Sequence, residues 1–235
     1  MKLILCYDTL QQSNTTEYEY VYQGNELHIT EGDDTNMHQV AIFTEEREYQ
    51  RRHAVPLYRF VSALCWNYKM PVYVGMVSGF GYDGGHALER KRFDRIKGFE
   101  VPHGLIEPES FEQEVALGLY REARSADSPF YGLLAYFKIL ELITGRPRSV
   151  ERWINDNIMR LNRSKAQIEE LQRKAIDLNI GKRTVYYRNS IAHALGHKRP
   201  IDIDGYLDMR ELNMLNGILA ECAEHIMAER LGFTD

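Results

Sequence analysis

The chain has 235 residues, 44% of them apolar and 27% charged, with a formal net charge of −5. This composition excludes a disordered chain, and the overall acidity excludes indiscriminate coating of nucleic acid. The most apolar stretch, Phe130 to Ile143, is broken by Lys138 and Glu141 and falls short of the about 18 residues a membrane span needs, and the apolar run in Met1 to Asp8 is too short for a secretory signal. The expectation is a cytoplasmic protein without membrane contact.

In chain order, Lys2 to Tyr7 reads as a short strand. Tyr18, Tyr20 and Tyr22 alternate with polar or smaller residues, Gln23-Gly24-Asn25-Glu26 reads as a turn, and Leu27 and Ile29 alternate again, which predicts a hairpin. Tyrosines in such strands predict a half-buried sheet. His38 to Phe43 is a third strand. Pro56 marks a helix start, with Leu57, Phe60, Val61, Leu64 and Cys65 as its apolar stripe up to about Tyr68, and Val72 to Val77 follows as a strand. Gly79-Phe80-Gly81-Tyr82-Asp83-Gly84 has GxGxxG spacing, but the segment after it is too poor in apolar positions to pack on a sheet as a dinucleotide site demands, so it reads as a loop.

From Phe111 the pattern turns helical. Helices are expected over Phe111–Arg124, from Ser128-Pro129 to Gly145, from the cap Ser149 to Leu161, over Ser164–Leu178, over Thr184–Leu195 after a break at Asn179-Ile180-Gly181, and over Leu207–Leu231. The fold class is α+β: an N-terminal mixed strand and helix domain, residues 1–110, of unknown role as a sensor or regulatory part, then an all-α bundle of four to five helices, residues 111–235.

Charge is uneven. Residues 1–145 carry 14 basic against 21 acidic side chains, residues 146–199 carry 13 against 5, and residues 200–235 carry 2 against 8. The basic island is either a solvated helix face or a local footprint for a polyanion. Cys6, Cys65 and Cys222 form neither a disulfide framework nor a metal pair and read as buried thiols, and the eight histidines show no zinc-ligand spacing with them. Neither a serine-hydrolase elbow, a phosphate-binding P-loop nor HExxH occurs.

One constellation carries chemistry: Tyr186-Tyr187-Arg188-Asn189-Ser190-Ile191-Ala192-His193-Ala194, inside the basic island. Metal-free RNA cleavage needs a group that moves protons near neutral pH, which histidine does, and a fixed cation for the phosphorane, which arginine supplies. Asparagine can hold the imidazole or a phosphate oxygen. At about 100° per residue, Tyr186, Asn189, Ser190, His193 and His197 share a helix face, whereas Arg188 and His193 diverge by about 140°. A distorted helix end or a second subunit would have to bring those two together.

Arg188-Asn189-Ser190-Ile191-Ala192-His193 resembles the RNxxxH motif of HEPN domains, the helical ribonuclease superfamily, and of its Apea-like members. The segment Tyr131 to Ile143, with Glu141 inside it, is similar to that family's early helix, and the likeness covers about Phe111 to Phe233. The resemblance implies a homodimer with a composite cleft, no metal and no cofactor, cutting RNA to leave a 2′,3′-cyclic phosphate in toxin, antiviral or stress roles, with a cognate antitoxin or regulatory partner. Arg188, His193 and Asn189 would be catalytic. Tyr186, Tyr187, Ser190, Lys182, Arg183 and His197 would contact substrate, and Glu141 would orient Arg188 or His193 or pair with another helix. The alternative is an inactive module that binds a nucleotide, RNA or a partner protein with the same residues, or one in which they only hold a dimer together.

Overall fold

The computed structural model describes residues 2–6, 17–30, 38–42, 50–78, 104–174, 179–192, 201 and 206–233. The chain divides into two compact units, Met1–Glu109 and Ser110–Asp235.

The first unit is a five-stranded mixed sheet of order β2-β3-β4-β1-β5, formed by β1 (Lys2–Cys6), β2 (Glu17–Tyr22), β3 (Asn25–Thr30), β4 (His38–Ala41) and β5 (Tyr73–Ser78), with one helix, α1 (Gln50–Tyr68). β3 pairs antiparallel with β2 on one side and with β4 on the other, while β4 and β5 both run parallel to β1. The β4–α1–β5 connection is therefore a crossover spanning β1, which the sequence patterns did not reveal because only one such unit is present. The hairpin is as expected, but tighter: Gln23 and Gly24 alone form the loop, both at positive φ (48° and 70°), and Asn25 already pairs with Tyr22. Two left-handed residues match the strand twist that a two-residue loop requires. The ring of Tyr20 and that of Tyr22 pack on Phe60 of α1, with centroids 5.8 and 5.6 Å apart, so these tyrosines belong to the core face of the sheet. The whole apolar stripe of α1, Leu57 to Cys65 as expected, is sealed from solvent. The helix itself begins at Gln50, six residues before Pro56, which sits inside it and deprives it of one backbone N–H. The GxGxxG segment lies outside the described residues.

The second unit is all helical: α2 (Phe111–Ser125), α3 (Pro129–Thr144), α4 (Pro147–Asn157) with one 3₁₀ turn (Ile158–Arg160), α5 (Lys165–Lys174), α6 (Ile180–Ala192) and α7 (Tyr206–Leu231). The α+β class with a helical bundle is thus what the structure has, with six α-helices among the described residues of this unit, one for each helical segment expected from the sequence. Ser110 and Gln113 form a reciprocal capping box at the start of α2. Gly145, at φ 89°, ends α3. Two starts differ from expectation. α4 opens at Pro147 with Arg146 before it, so Ser149 lies inside the helix, because a first-turn proline is already set for helical φ. α6 opens at Ile180 rather than Thr184, because Asn179 acts as its cap and Gly181 as a packing residue, not as breakers. The core is built from Leu117, Leu133, Phe137 and Leu140 of α2 and α3, Val150 and Ile154 of α4, and Leu215, Ile218, Leu219 and Ile226 of α7. Cys65 and Cys222 are buried free thiols. None of the described helices is long and apolar enough to cross a membrane.

Two glycines give opposite expectations. A Cβ on Gly181 would meet the Glu151 carbonyl oxygen at 2.3 Å, whereas one on Gly118, inside α2, would meet nothing within 4 Å. Gly181→Ala should therefore destabilise the helical unit by about 1–3 kcal/mol by forcing α4 and α6 apart. Gly118→Ala should stabilise it by up to about 1 kcal/mol through helix propensity. Thermal melts followed by helical circular dichroism read both signs.

Candidate functional site

The first turn of α6 is fixed to α4 by side-chain amides. Asn179 Oδ1 accepts the Lys182 amide N–H at 2.7 Å, Asn155 Oδ1 accepts that of Gly181 at 3.1 Å, and Asn155 Nδ2 donates to Asn179 Oδ1 at 2.7 Å. With no side chain on Gly181, the helix starts against the α4 backbone at Glu151. This anchorage sets the rotation of α6 and hence where its functional candidates point.

Arg188 faces α3. Its Nη2 lies 3.7 Å from Glu141 Oε2, its Nη1 donates to Asn189 Oδ1 at 3.0 Å, and the guanidinium stands over the Phe137 ring at 5.5 Å. Arg188, Asn189 and Glu141 are therefore together, and all three are partly exposed. The arrangement holds the guanidinium plane between an aromatic face and a carboxylate, at a spacing too long for a direct hydrogen bond to Glu141.

The remaining expected residues divide. Arg183 is committed to Glu211 of α7: its Nε and Nη2 both donate to that carboxylate, the latter at 2.8 Å, and the cation lies over the rings of Tyr186 and Tyr187 at 5.7 and 5.4 Å. The bond to Glu211 holds its pKa above the ordinary value despite partial burial. Tyr187 is only 1% exposed, and burial followed by the Glu211 charge pushes its hydroxyl up, so it is a core residue and not a substrate contact. Tyr186 meets the Tyr187 ring edge-on at 5.6 Å. Ser190 is buried, with an Oγ that has no hydrogen-bond partner, which removes it too from a solvent-facing site. Lys182 is exposed. His193 and His197 lie outside the described residues.

Four exposed cations without an ion-pair partner among the described residues lie on or beside α4 and at the start of α6. Arg148 and Arg152 are one turn apart on α4, Arg146 precedes that helix, and Lys182 follows the Gly181–Glu151 contact. Lys165 and Arg173 of α5 are exposed as well, so this corner is one part of the basic island, among the described residues, that is open to a ligand.

Sequence reasoning missed a buried polar cluster under α7. Glu221 and Glu224, on one turn of that helix, are 3% and 8% exposed. Glu221 accepts the backbone N–H groups of Arg163 (3.0 Å) and Ser164 (2.8 Å). Burial pushes the Glu221 carboxyl up, but the hydrogen bonds from Ser164 and Arg163 and the Arg163 charge outweigh it and hold the pKa below its usual value. Glu224 accepts the Tyr120 hydroxyl at 2.6 Å and the Arg163 guanidinium. Burial, reinforced by the Glu224 charge, drives the Tyr120 pKa far upward, so that hydroxyl is a fixed donor. Arg124 stands over the Tyr120 ring at 5.8 Å. The signal in the sequence was the pair Glu221-x-x-Glu224 amid the apolar residues Cys222, Ala223, Ile226 and Met227, where an exposed helix would carry its acids on the opposite face.

Comparison with known proteins bears on the helical unit. Residues 116–228, just under half of the chain, match the model of a family described as methylamine utilization protein MauJ. No curated protein and no solved structure matches the chain. The resemblance to HEPN domains is corrected by this match: the family to which the helical unit is similar is MauJ, and six residues of Arg-Asn-x₃-His wording are too few to assign a superfamily against it.

The Glu221 carboxylate gives a signed pH expectation. Because its folded pKa is lowered, its contribution to stability is present above the unfolded value and is lost as pH falls through the folded one. Glu221→Gln should destabilise the helical unit by about 1–3 kcal/mol at neutral pH and by progressively less as the pH falls through the folded pKa and the wild-type carboxylate takes up its proton. Urea unfolding of wild type and variant at neutral and at acidic pH measures the difference.

Proposed function

We propose that the helical unit is an RNA-binding module that engages the phosphate backbone at the α4–α6 corner. The observation that carries this reading is the set of exposed cations there, Arg146, Arg148, Arg152 and Lys182, left without ion-pair partners among the described residues in a chain that is acidic overall. Phosphate contacts need cations whose charge is not already spent, a requirement Arg183 fails through Glu211 and these four satisfy. Arg188 and Asn189 sit further along the same helix, held by Glu141, where they add a planar donor group toward a bound strand. Cleavage is the narrower form of the proposal: Arg188 as the transition-state clamp and His193 as the proton-transfer group, without metal. The homodimer and a regulatory or antitoxin partner belong to the same proposal.

The full chain, in EDTA, is mixed with labelled single-stranded RNA and followed by fluorescence anisotropy at several salt concentrations. Arg148→Ala with Arg152→Ala should weaken binding by about tenfold or more and reduce the slope of log affinity against log salt by about two. Wild-type protein that leaves RNA unbound at low salt, or a double variant that binds as wild type does, removes the proposal. RNA recovered intact identifies a binding module. Fragments ending in a cyclic phosphate, lost in His193→Ala, identify the nuclease.

A second reading is favoured by the family match over residues 116–228: a part in methylamine utilization, as the family's description says of its members. Deleting the gene should then slow growth on methylamine and leave growth on other carbon and nitrogen sources unchanged.

A further inference from the structure

The sheet of the first unit has two faces with different chemistry. Tyr20, Tyr22, Leu27 and Ile29 turn toward α1, so the period of two puts Glu19 and Val21 of β2 and Glu26, His28 and Thr30 of β3 on the other face. Register then does what spacing along the sequence does not. Glu19 pairs directly across from His28, and Glu26 precedes His28 by two residues on the same strand. One donor atom from each of Glu19, Glu26 and His28 falls within 4.8 Å of the other two. His28 Nδ1 is 3.9 Å from Glu19 Oε1, and its Nε2 is 4.0 Å from Glu26 Oε1.

Zinc holds nitrogen and carboxylate ligands at about 2.0–2.2 Å, so two of its ligand atoms stand at most about 4.3 Å apart. The two separations run to different imidazole nitrogens, and with one atom taken from each residue the three donors lie within 4.8 Å, slightly wider than that limit; the two glutamates, 67% and 62% exposed, have the freedom to close the difference on an ion held by one imidazole nitrogen. The imidazole, 24% exposed, is the most fixed of the three donors. Its neighbours Leu27 and Ile29 are buried in the core, and the two-residue turn locks the strand register. A second observation on the same face points to a missing ligand. Thr30, next after His28 on that side of β3 and 6% exposed, has an Oγ1 with no hydrogen-bond partner. A buried hydroxyl without a partner costs about 1–3 kcal/mol unless a ligand or its bound water satisfies it.

We infer that the outward face of the β2–β3 hairpin is a binding site for a divalent transition-metal ion of the zinc class, with Glu19, Glu26 and His28 as ligands. One imidazole with two carboxylates suits zinc, while magnesium, which prefers oxygen ligands, gains little from the nitrogen. The remaining coordination positions go to water. This site is independent of the RNA-binding reading, since it lies in the other unit.

The test is isothermal titration of the full, chelator-treated chain with Zn²⁺ and, separately, with Mg²⁺. Wild type should take up one strongly bound Zn²⁺ that His28→Ala and Glu19→Gln each weaken tenfold or more, with Mg²⁺ showing no comparable event. Glu26 is exposed, so Glu26→Gln should leave the fold intact, as judged by circular dichroism, and still weaken Zn²⁺. The inference is overturned if wild type binds no Zn²⁺ with a Kd below about 1 mM. It is overturned equally if folded Glu26→Gln and His28→Ala bind Zn²⁺ as wild type does, which would assign the event to other histidines of the chain.

Discussion

Two carboxylates on one turn of α7, taken almost completely out of water, have to be given donors, and much of the helical unit is arranged to supply them. Glu221 receives two backbone N–H groups from the segment that enters α5, and Glu224 receives the Tyr120 hydroxyl of α2 and the Arg163 guanidinium. A buried charge without such partners would cost several kcal/mol, so the position of Arg163–Ser164 and the rotation of α2 and α7 are set together. The same logic recurs in milder form nearer the start of α7, where Glu211 holds Arg183 of α6, and beside it the rings of Tyr186 and Tyr187. α7 thus acts as an acidic spine that consumes part of the basic island.

That consumption separates two kinds of cation that composition counts alike. Arg163 and Arg183 are neutralised from within, whereas Arg148, Arg152 and Lys182 face solvent with their charge unspent. The excess of basic residues in 146–199 is partly internal counter-charge for a helix outside that segment and partly a surface. A polyanion senses only the second part, which is why the proposed RNA contact is confined to one helical corner in a protein of net negative charge.

Much of the architecture was legible in the residues. Period-two tyrosines gave the hairpin, Leu57 to Cys65 gave the core stripe of α1, and Pro129 and Gly145 punctuated α3 as their backbone preferences dictate. What escaped were features decided by long-range geometry. The start of α6 was missed because Asn179 and Gly181 look like breakers until α4 is beside them, where one caps and the other permits contact. The Glu221–Glu224 cluster was missed because its donors come from residues some 60 to 100 positions away. Within the candidate site, Arg188, Asn189 and Glu141 do meet, but Tyr187 and Ser190 were assigned to a ligand when burial had already claimed them. Short motif wording suggested a superfamily that the match over residues 116–228 does not support.

The strand order of the first unit bears on how the chain acquires its structure. β1, the earliest strand in sequence, lies in the interior of the sheet, with Leu3 paired to His38 on one side and Lys2 to Tyr73 on the other. During synthesis its polar backbone must wait, with one edge unsatisfied, until Tyr73–Ser78 has left the ribosome and α1 has crossed over it. The hairpin β2–β3, by contrast, closes from adjacent residues at once. Assembly therefore proceeds from a fast local ribbon to a slow, high-contact-order closure, and the interval between them is when this unit is most open to mispairing or chaperone capture.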